Sequence, residues 1–408
     1  MTIDSVMELK KPLQIYVPSG ARTRSDQLDG SSRIFIECAK RWTEQGNKIT
    51  VLMNEQDAVV FQRYGLTKIN GILMPSAKFR ANGGYLQLMM LYVTRTLNLC
   101  AAIYAIRPKS ERVVVYSGSD FWPDSIPAWI FKLRNKKAKW IAGFYLFAPS
   151  PFSKESPYKR LRRAKGLLYY VSQIPIYIIM KKYADMVWVT NEPDRWRFID
   201  NNRFTPERVV AVRGGVDTKT PDLIPNPEHK KFDAVFIGRF HPQKGVLELI
   251  DIWKYVCERK KDARLAMIGV GELENDVKSK IKAYKLEDKV TLFGFKDGVE
   301  KLKIFKESRV VVHPAIYDSG GMAACEAMAC GLPGVSFDLP ALKTYYPKGM
   351  LKTPCFDLKA FATNILKLLN DEMLYKKSSK DALDWARQWD WDKRADELLS
   401  DIQRSFTY

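Results

Sequence analysis

Short apolar runs alternate with longer amphipathic segments along most of the chain. The first run, residues 13–17, precedes a segment with apolar positions at helical spacing, for which Ser31 or Ser32 is the expected start; a second run, 49–53, follows. A strand, a helix and a strand in this order are typical of a doubly wound parallel sheet. Gly30, beside the expected helix start, is a candidate for close approach of a ligand to the backbone.

The same alternation continues on both sides of a stretch rich in proline and glycine, which begins after Asn201 and is interpreted as a hinge. It predicts two domains, 1–205 and 206–381, and a terminal helix, 382–405, that packs back on the first domain. We therefore expect an α/β protein of two doubly wound, Rossmann-like domains facing a cleft. Further strands are expected at residues 69–73, 113–116, 140–143, 186–190, 234–237, 265–268, 290–293, 310–312 and 334–337.

Composition places the chain among globular proteins, since 46% of its 408 residues are apolar and 27% are charged. Three histidines and six scattered cysteines offer no metal-ligand cluster, so no metal is expected. The net charge of +20 is concentrated in residues 1–200, which hold 31 Lys and Arg against 16 Asp and Glu. A strongly basic half indicates an anionic partner such as nucleic acid, anionic lipid or a phosphorylated substrate.

The most distinctive stretch, residues 313–333, follows a short apolar run and contains a double glycine. Ser319 is expected to cap a helix that holds Gly320 and Gly321 in its first turn and ends before Gly331. Nearly every side chain between these ends is apolar or small, which indicates a helix inside the core. Backbone N–H groups at the positive end of a helix dipole are suited to bind an anion.

Glu326 is the only charged residue in that apolar helix. A buried carboxylate needs a hydrogen-bonding partner, and two explanations fit. Either it pairs with a buried arginine or reaches the surface for structural reasons alone, or it binds a ligand with several hydroxyl groups. Asp318 and the glycines favour a ligand, because two acids around an anion site suit a nucleotide sugar. An internal cation that neutralised Glu326 would remove the basis of this assignment.

A second candidate site follows the expected strand at 234–237, where residues 238–245 run Gly-Arg-Phe-His-Pro-Gln-Lys-Gly. The loop places two cations, Arg239 and Lys244, beyond the carboxyl end of a strand, where α/β sheets bind ligands. Arginine offers a planar fork for phosphate oxygens, and lysine offers a mobile point charge. The alternative is an ordinary basic surface loop, and the spacing is not that of a Walker loop.

As a set, these motifs resemble those of the GT-B glycosyltransferases, specifically the retaining family four, or glycosyl transferases group 1. The resemblance covers residues 205–340, whereas the amino-terminal half matches only in its pattern of elements. The matching motifs are Gly238-Arg239 with Lys244-Gly245, Gly214-Gly215-Val216-Asp217, Gly269-Val270-Gly271, and Asp318 through Glu326 into residues 327–333.

The resemblance implies a nucleotide-sugar donor, expected to be a UDP- or GDP-sugar, and neither a cofactor nor a metal. Arg239 and Lys244 would hold the diphosphate, Glu326 the ribose hydroxyls, and Asp318 the transferred sugar. These four are the expected catalytic residues, because catalysis would consist of positioning and of stabilising the leaving phosphate. Further donor contacts are expected from Gly30, Gly238, Gly294, Phe295, Ser319, Gly320, Gly321 and Met322.

Two positions depart from the family pattern. The first acid is Asp318 where the family has Glu, and its shorter reach bears on the choice of donor sugar. The family often carries a histidine in its amino-terminal domain, but this chain has none before His229. Tyr145 stands in the matching segment and is an acceptor-side candidate, with a plain cleft-lining aromatic as the alternative.

Residues 132–165 contain eleven basic residues and one acid, and residues 166–180, directly after them, are apolar and rich in tyrosine. Together, 132–180 fit an interfacial anchor on anionic lipid, and they also fit a buried helix behind a solvated basic segment. The apolar segment 85–106 fits either interpretation. No nucleic-acid-binding module accompanies these charges, so nucleic acid is not an expected partner.

The sequence thus predicts a cytoplasmic hexosyltransferase, peripheral on the inner face of the membrane, that transfers a sugar with retention. The expected acceptor is lipid-linked or a cell-envelope polysaccharide precursor. One alternative is a nucleotide-sugar 2-epimerase on the same fold, disfavoured by the missing amino-terminal histidines. The other is a non-catalytic GT-B-like scaffold that binds an anionic partner, disfavoured by Arg239, Lys244 and Glu326.

Overall fold

Parallel strands build two separate sheets in the computed structural model, which describes residues 11–24, 28–81, 83–153, 156–158, 163–200 and 204–407. The chain divides into two units. The first takes in the described residues up to Ala148, Leu167–Gly214 and the segment from Trp391; the second takes in Pro149–Gly166 and Gly215–Asp390. The division therefore falls at Gly214, where 205 was expected, and residues 382–390 stay with the second unit.

The first sheet has seven strands. They are β1 (Gln14–Ser19), β2 (Lys48–Met53), β3 (Asn70–Leu73), β4 (Val113–Ser117), β5 (Lys139–Gly143), β6 (Met186–Val189) and β7 (Val209–Ala211). Their order is β3-β2-β1-β4-β5-β6-β7, and every neighbouring pair is parallel. The order reverses between β1 and β4, which is where doubly wound sheets bind ligands.

The second sheet has six strands. They are β8 (Phe232–Ile237), β9 (Leu265–Ile268), β10 (Val290–Leu292), β11 (Ser308–His313), β12 (Gly334–Phe337) and β13 (Met350–Thr353). Their order is β10-β9-β8-β11-β12-β13, again with parallel pairs throughout. The reversal lies between β8 and β11, so the loops after these two strands flank the switch point.

Helices alternate with the strands in both units. Those that begin in the first half are α1 (Gly30–Glu44), α2 (Glu55–Arg63), α3 (Tyr85–Ala105), α4 (Trp122–Arg134), α5 (Arg163–Tyr183) and α6 (Glu192–Phe198). The others are α7 (Thr220–Leu223), α8 (Val246–Arg259), α9 (Glu274–Ala283), α10 (Gly298–Lys306), α11 (Met322–Ala329), α12 (Pro340–Tyr345), α13 (Leu358–Asn370), α14 (Glu372–Ala386) and α15 (Trp391–Arg404).

Every strand predicted from the sequence is present within two residues of its expected bounds, which confirms the α/β prediction. β7 and β13 were not predicted. Each is an edge strand of three or four residues with two half-buried positions, so it lacks the continuous apolar run of a central strand.

Three helix boundaries differ from the prediction for local reasons. Asp29, and not a serine, caps α1, because its Oδ1 accepts from the Ser32 amide at 2.9 Å. α11 begins at Met322, after Gly321 in a non-helical conformation, so the two glycines lie outside the helix. The expected helix 382–405 is interrupted by a 3₁₀ turn and by Asp390, whose backbone is not helical.

Helices α3 and α5 each bury one face and leave apolar side chains exposed on the other. In α5, Gln173, Ile176 and Met180 are buried, whereas Val171 and Ile178 are 53% and 58% exposed. Residues 166–180 are therefore a domain helix that also has an open apolar face. By length and composition alone α3 could cross a membrane, although 22% of its most apolar stretch is buried.

The carboxy-terminal helix α15 packs on α1 of the first unit. The indole Nε1 of Trp42 donates to the Ala395 carbonyl (2.9 Å), and Arg41 pairs with Asp392 (2.6 Å). Trp42 is fully buried, so this hydrogen bond is protected from water.

Trp42→Phe should lower the melting temperature of the protein by a few degrees, because it removes the hydrogen bond to the Ala395 carbonyl and leaves part of the space of the buried indole unfilled. A lost intramolecular hydrogen bond costs about 0.5–1.5 kcal/mol, and the unfilled space adds to this cost. Differential scanning calorimetry measures the effect, and Trp196→Phe is the control, since Trp196 is 63% exposed. Equal melting temperatures for the two variants would contradict the assigned role of the contact.

Candidate functional site

Three glycines lie at the carboxyl ends of neighbouring strands in the second sheet. Gly238 follows β8, Gly269 follows β9, and Gly294 comes two residues after β10. The Gly269 amide donates to the Gly294 carbonyl at 2.8 Å. A Cβ on Gly269 would lie 1.9 Å from the Gly238 carbonyl oxygen, so only glycine fits there. The sheet thus presents bare backbone at these positions, which lets a ligand approach closely.

Lys244 is positioned by a short turn after β8. Pro242–Lys244 form a 3₁₀ turn capped by the His241 side chain, and Gly245 then takes a φ of +63°. A Cβ on Gly245 would lie 1.9 Å from the carbonyl oxygen of Pro314. The loop after β8 therefore packs directly on the backbone of the loop after β11.

Asp318 joins these two loops. Lys244 Nζ lies 2.5 Å from Asp318 Oδ2, and His313 Nε2 lies 3.2 Å from the same oxygen. Asp318 Oδ1 accepts from the amides of Ser319 (2.9 Å) and Gly320 (3.4 Å). Burial raises the pKa of Asp318, but the charge of Lys244 and the contact with His313 outweigh it and hold the pKa well below its usual range. Asp318 is therefore ionised at neutral pH.

Two tyrosines at the end of α12 support the double glycine. A Cβ on Gly320 would lie 2.5 Å from the Tyr345 ring, and one on Gly321 would lie 1.7 Å from the Tyr346 hydroxyl. That hydroxyl donates to the Gly321 carbonyl. The glycines are required because the loop lies flat on the two rings, and this contact fixes the backbone before α11.

Glu326 is paired with a buried lysine. Lys301 Nζ donates to Glu326 Oε2 at 2.9 Å and to Asp297 Oδ1 at 2.7 Å. The side chains of Lys301 and Glu326 are 6% and 13% exposed. The structural alternative is thus realised, with a lysine in place of the expected arginine. Lys301 thus shares its ammonium group between Glu326 and a second carboxylate. The contact of Glu326 with a ligand stays a prediction.

The remaining predicted residues of the second unit lie around this cluster. Arg239 is exposed beyond β8, and among the described residues no carboxylate forms an ion pair with it. Phe295 is 43% exposed beyond β10, and Met322 is the first residue of α11. The structure therefore joins Lys244, Asp318 and the glycine loop in direct contact, and leaves Arg239 and Phe295 with exposed side chains at the same sheet edge.

The two candidates in the first unit have different surroundings. Gly30 is the exposed first residue of α1. Tyr145 is buried, and its hydroxyl lies 2.8 Å from that of Tyr116. Burial raises the pKa of Tyr145, while the hydrogen bond with Tyr116 opposes this in part. Its hydroxyl is therefore engaged in the core as a neutral phenol.

The carboxyl edge of the first sheet holds buried carboxylates that the sequence did not single out. Asp124 accepts from the amides of Gly20 (2.9 Å) and Ala21 (3.1 Å), and Arg22 donates to Asp57 (2.9 Å). Burial raises the pKa of Asp57 to about 7 and that of Asp124 to about 6. These carboxylates fix the loop after β1, which lies at the switch point.

The basic segment 132–165 is divided by the structure. Lys132 pairs with Asp185 (2.7 Å), and Arg134 lies 4.0 Å from the centre of the Tyr104 ring, both near the amino ends of β5 and β4. Arg163 begins α5 and belongs to the second unit. The described cations of this segment are therefore divided between the two units, and several have structural partners. Lys154, Lys159, Arg160 and Arg162 lie outside the described residues.

Residues 222–385 match the family model described as glycosyl transferases group 1. This part of the chain is a group 1 glycosyltransferase domain. A mannosylfructose-phosphate synthase of Agrobacterium fabrum is 27% identical over 220 residues, which cover 50% of this chain and 46% of that protein. A phosphatidyl-myo-inositol mannosyltransferase of Mycobacterium leprae is 28% identical over 198 residues, with coverages of 47% and 52%. The chain thus spans about half the length of these curated relatives.

Among solved structures, Anabaena HepE in complex with UDP and glucose matches 95% of this chain, and the match covers 98% of HepE. The TM-score is 0.67 at 13% identity, which establishes similarity of fold. The match extends over both units and confirms the predicted GT-B fold.

Sequence reasoning missed the residues that support the candidate site from behind. His313 ends β11 and was given no role from the sequence, while Tyr345 and Tyr346 lie beyond the recognised motif. Lys301 offered a faint signal, because it stands among Leu302, Ile304 and Phe305, positions that α10 buries. A lysine among buried positions requires an acidic partner, and Glu326 is that partner.

Gly245→Ala should destabilise the glycosyltransferase domain strongly, because its methyl group would overlap the Pro314 carbonyl in addition to straining a positive φ. Gly65→Ala is the matched control: Gly65 has a φ of +75° but nothing within 4 Å of its Cβ position. The control should lose only about 1–3 kcal/mol, and Gly245→Ala clearly more. Chemical denaturation measures both, and equal losses would contradict the predicted overlap.

Proposed function

We propose that the chain is a retaining, metal-independent hexosyltransferase that moves a sugar from a UDP- or GDP-sugar to a lipid-linked or cell-envelope acceptor. The observation that carries this proposal is the cluster at the carboxyl edge of the second sheet. There a cation, a carboxylate and a bare glycine loop lie in direct contact, beside an exposed arginine.

The cations would take the donor's phosphates. Arg239 is exposed and its fork suits two phosphate oxygens, whereas Lys244 is held in place by Asp318. As the bond from the sugar to the phosphate breaks, negative charge grows on the leaving diphosphate. Fixed positive charges at that point stabilise the transition state without moving and without a strong protein base.

Asp318 and the glycine loop would hold the transferred sugar. A carboxylate accepts hydrogen bonds from sugar hydroxyls, and Asp318 is kept ionised by Lys244 and His313. Because aspartate is one methylene shorter than the family's glutamate, the sugar would lie closer to the backbone of Gly320 and Gly321. This bears on which hexose is transferred.

Glu326 and Phe295 would hold the nucleoside. Lys301 engages Oε2 of Glu326, so Oε1 is the oxygen proposed to accept from the ribose hydroxyls. Phe295 offers an aromatic ring, 43% exposed, for stacking on a base. A nucleoside diphosphate fits this division of roles, and the HepE structure was determined with UDP and glucose.

An acceptor at the inner face of the membrane is part of the proposal. The Mycobacterium relative is named for transfer to phosphatidyl-myo-inositol, a lipid, and the first half of this chain is strongly basic. An anionic lipid surface attracts such a charge. No observation on the described residues favours the alternative of a non-catalytic GT-B-like scaffold.

Arg239→Ala should lower kcat for donor hydrolysis and transfer by ~10²–10³-fold, because it removes charge stabilisation of the leaving phosphate. Glu326→Gln should weaken nucleotide binding ~10–100-fold, the worth of a hydrogen bond to a charged group. Nucleotide release and thermal shifts with UDP, GDP and ADP measure these effects. NMR of the product's anomeric signal tests retention.

Two exposed positions of the same domain serve as controls for this experiment. Arg259→Ala and Glu300→Gln make the same chemical changes at residues whose side chains have no part in the proposed site. Wild-type transfer by Arg239→Ala or Glu326→Gln would refute the proposed site. A protein that no nucleotide stabilises would refute the donor class.

Lys301→Met should raise the KM for the donor much more than it lowers kcat, because it releases Glu326 and Asp297 from one shared cation and lets both side chains move. Lys301→Arg should restore part of the affinity. Lys303→Met, on the exposed face of α10, is the control and should leave KM unchanged. Equal KM values for Lys301→Met and the control would show that the bridge does not position Glu326.

A further inference from the structure

Helix α3 carries a stripe of apolar side chains that stay largely exposed to solvent in the described structure. We call Leu86, Met90, Leu97 and Tyr104 the α3 stripe; they are 69%, 37%, 64% and 56% exposed. Their spacing of four, seven and seven residues places them on one face of the helix. Leu91, Leu99 and Ile103 form the opposite, buried face.

Helix α5 carries a second stripe of the same kind. The α5 stripe consists of Leu167, Val171, Ile174 and Ile178, which are 42%, 53%, 44% and 58% exposed. Their spacing of four, three and four residues again defines one helix face. Single exposed apolar side chains are ordinary, but two aligned rows of them mark an interaction surface.

The two stripes belong to one layer of helices. α4 lies between α3 and α5, since Arg134 of α4 covers the Tyr104 ring and Trp129 of α4 lies 5.7 Å from the Tyr183 ring of α5. At the other end, Phe121 contacts both Tyr92 of α3 and Tyr169 of α5, each with ring centres 5.9 Å apart. The stripes therefore flank α4 on the same face of the first sheet.

The same layer borders the carboxyl edge of the sheet. The hydroxyl of Tyr92 donates to the carbonyl of Ala21, just after β1, at 3.2 Å. The hydroxyl of Tyr169 donates to the carbonyl of Leu146, just after β5, also at 3.2 Å. The amino-terminal halves of α3 and α5 thus lie beside the edge at which the first sheet would meet a ligand.

The charges around the stripes decide which partner fits. Residues 85–105 and 163–183 contain no Asp or Glu. Exposed cations stand at both ends of the layer: Lys78 and Arg80 near the carboxyl edge, and Arg107 and Lys137 near the amino edge. Apolar stripes without carboxylates, bounded by cations, complement an anionic bilayer, whose headgroup phosphates attract the cations while the apolar side chains enter the interface.

We propose that the α3 and α5 stripes together dock the protein on an anionic bilayer and bring the carboxyl edge of the first sheet to lipid-linked acceptors. This deepens the proposed function and rests on it for the acceptor. The docking face is made by two helices, and α3 contributes as much of it as α5.

Co-sedimentation of the full chain with phosphatidylcholine vesicles, with and without phosphatidylglycerol, tests the proposal. The double variants L86E/L97E and V171E/I178E should each lower partition onto anionic vesicles by ~10-fold or more. The matched control L223E/M373E places the same charges at apolar residues that are 81% and 83% exposed outside the stripes. The variant K78Q/R80Q leaves the stripes intact. It should weaken binding to anionic vesicles only, and the binding that remains should depend less on salt concentration than that of the wild type.

Nucleotide-dependent thermal shifts on the same proteins separate the docking face from the donor site. Stripe variants that lose vesicle binding but keep the wild-type nucleotide shift support the proposal. Stripe variants that bind vesicles like wild type overturn it. A second result would also overturn it: wild-type protein that does not bind vesicles but forms a dimer in light-scattering measurements, while the stripe variants remain monomeric. If the proteins bind vesicles as expected but no nucleotide raises the melting temperature of any of them, the proposed function is refuted and the docking face is still supported.

Discussion

The ion pair between Lys244 and Asp318 is the interaction on which the ligand edge of the second unit depends. It ties the loop after β8 to the loop after β11, the two strands that flank the switch point. A buried pair adds little net stability, but losing one partner costs about 3–5 kcal/mol. The ion pair therefore matters mainly because it fixes the positions of the two side chains and their loops. The ammonium of Lys244 and the carboxylate of Asp318 stand at fixed positions, so the proposed binding of a donor's phosphate and sugar hydroxyls would need little reorganisation.

The bridge from Glu326 through Lys301 to Asp297 likewise fixes the positions of charged side chains. It links α11 to the amino-terminal cap of α10, shortly after Phe295. If Lys301 only neutralised Glu326, one carboxylate would suffice. A second carboxylate on the same ammonium holds Lys301 between α11 and the cap of α10, and so fixes the position of Glu326.

The sequence predicted much of the fold because central parallel strands are continuous apolar runs, visible without their neighbours. β7 and β13 escaped because edge strands need no such run. For the site, residue types and spacing identified Arg239, Lys244, Asp318 and the glycines. They could not identify Lys301 or Tyr346, since each acts on a residue 25 positions away in the chain. The start of α11 was misplaced because the tyrosines that hold the glycines out of the helix are equally distant.

The positive charge of the first half has a structural explanation beyond its total. Some of the positively charged side chains have structural roles: Arg22 and Arg95 hold the loop after β1, and Lys132 pairs with Asp185. Some of the cations that remain exposed stand near the ends of α3 and α5, beside the two apolar stripes. Exposed positive charge and exposed apolar side chains therefore occur in the same layer of helices, and this coincidence is the reason for proposing an anionic lipid surface as the partner.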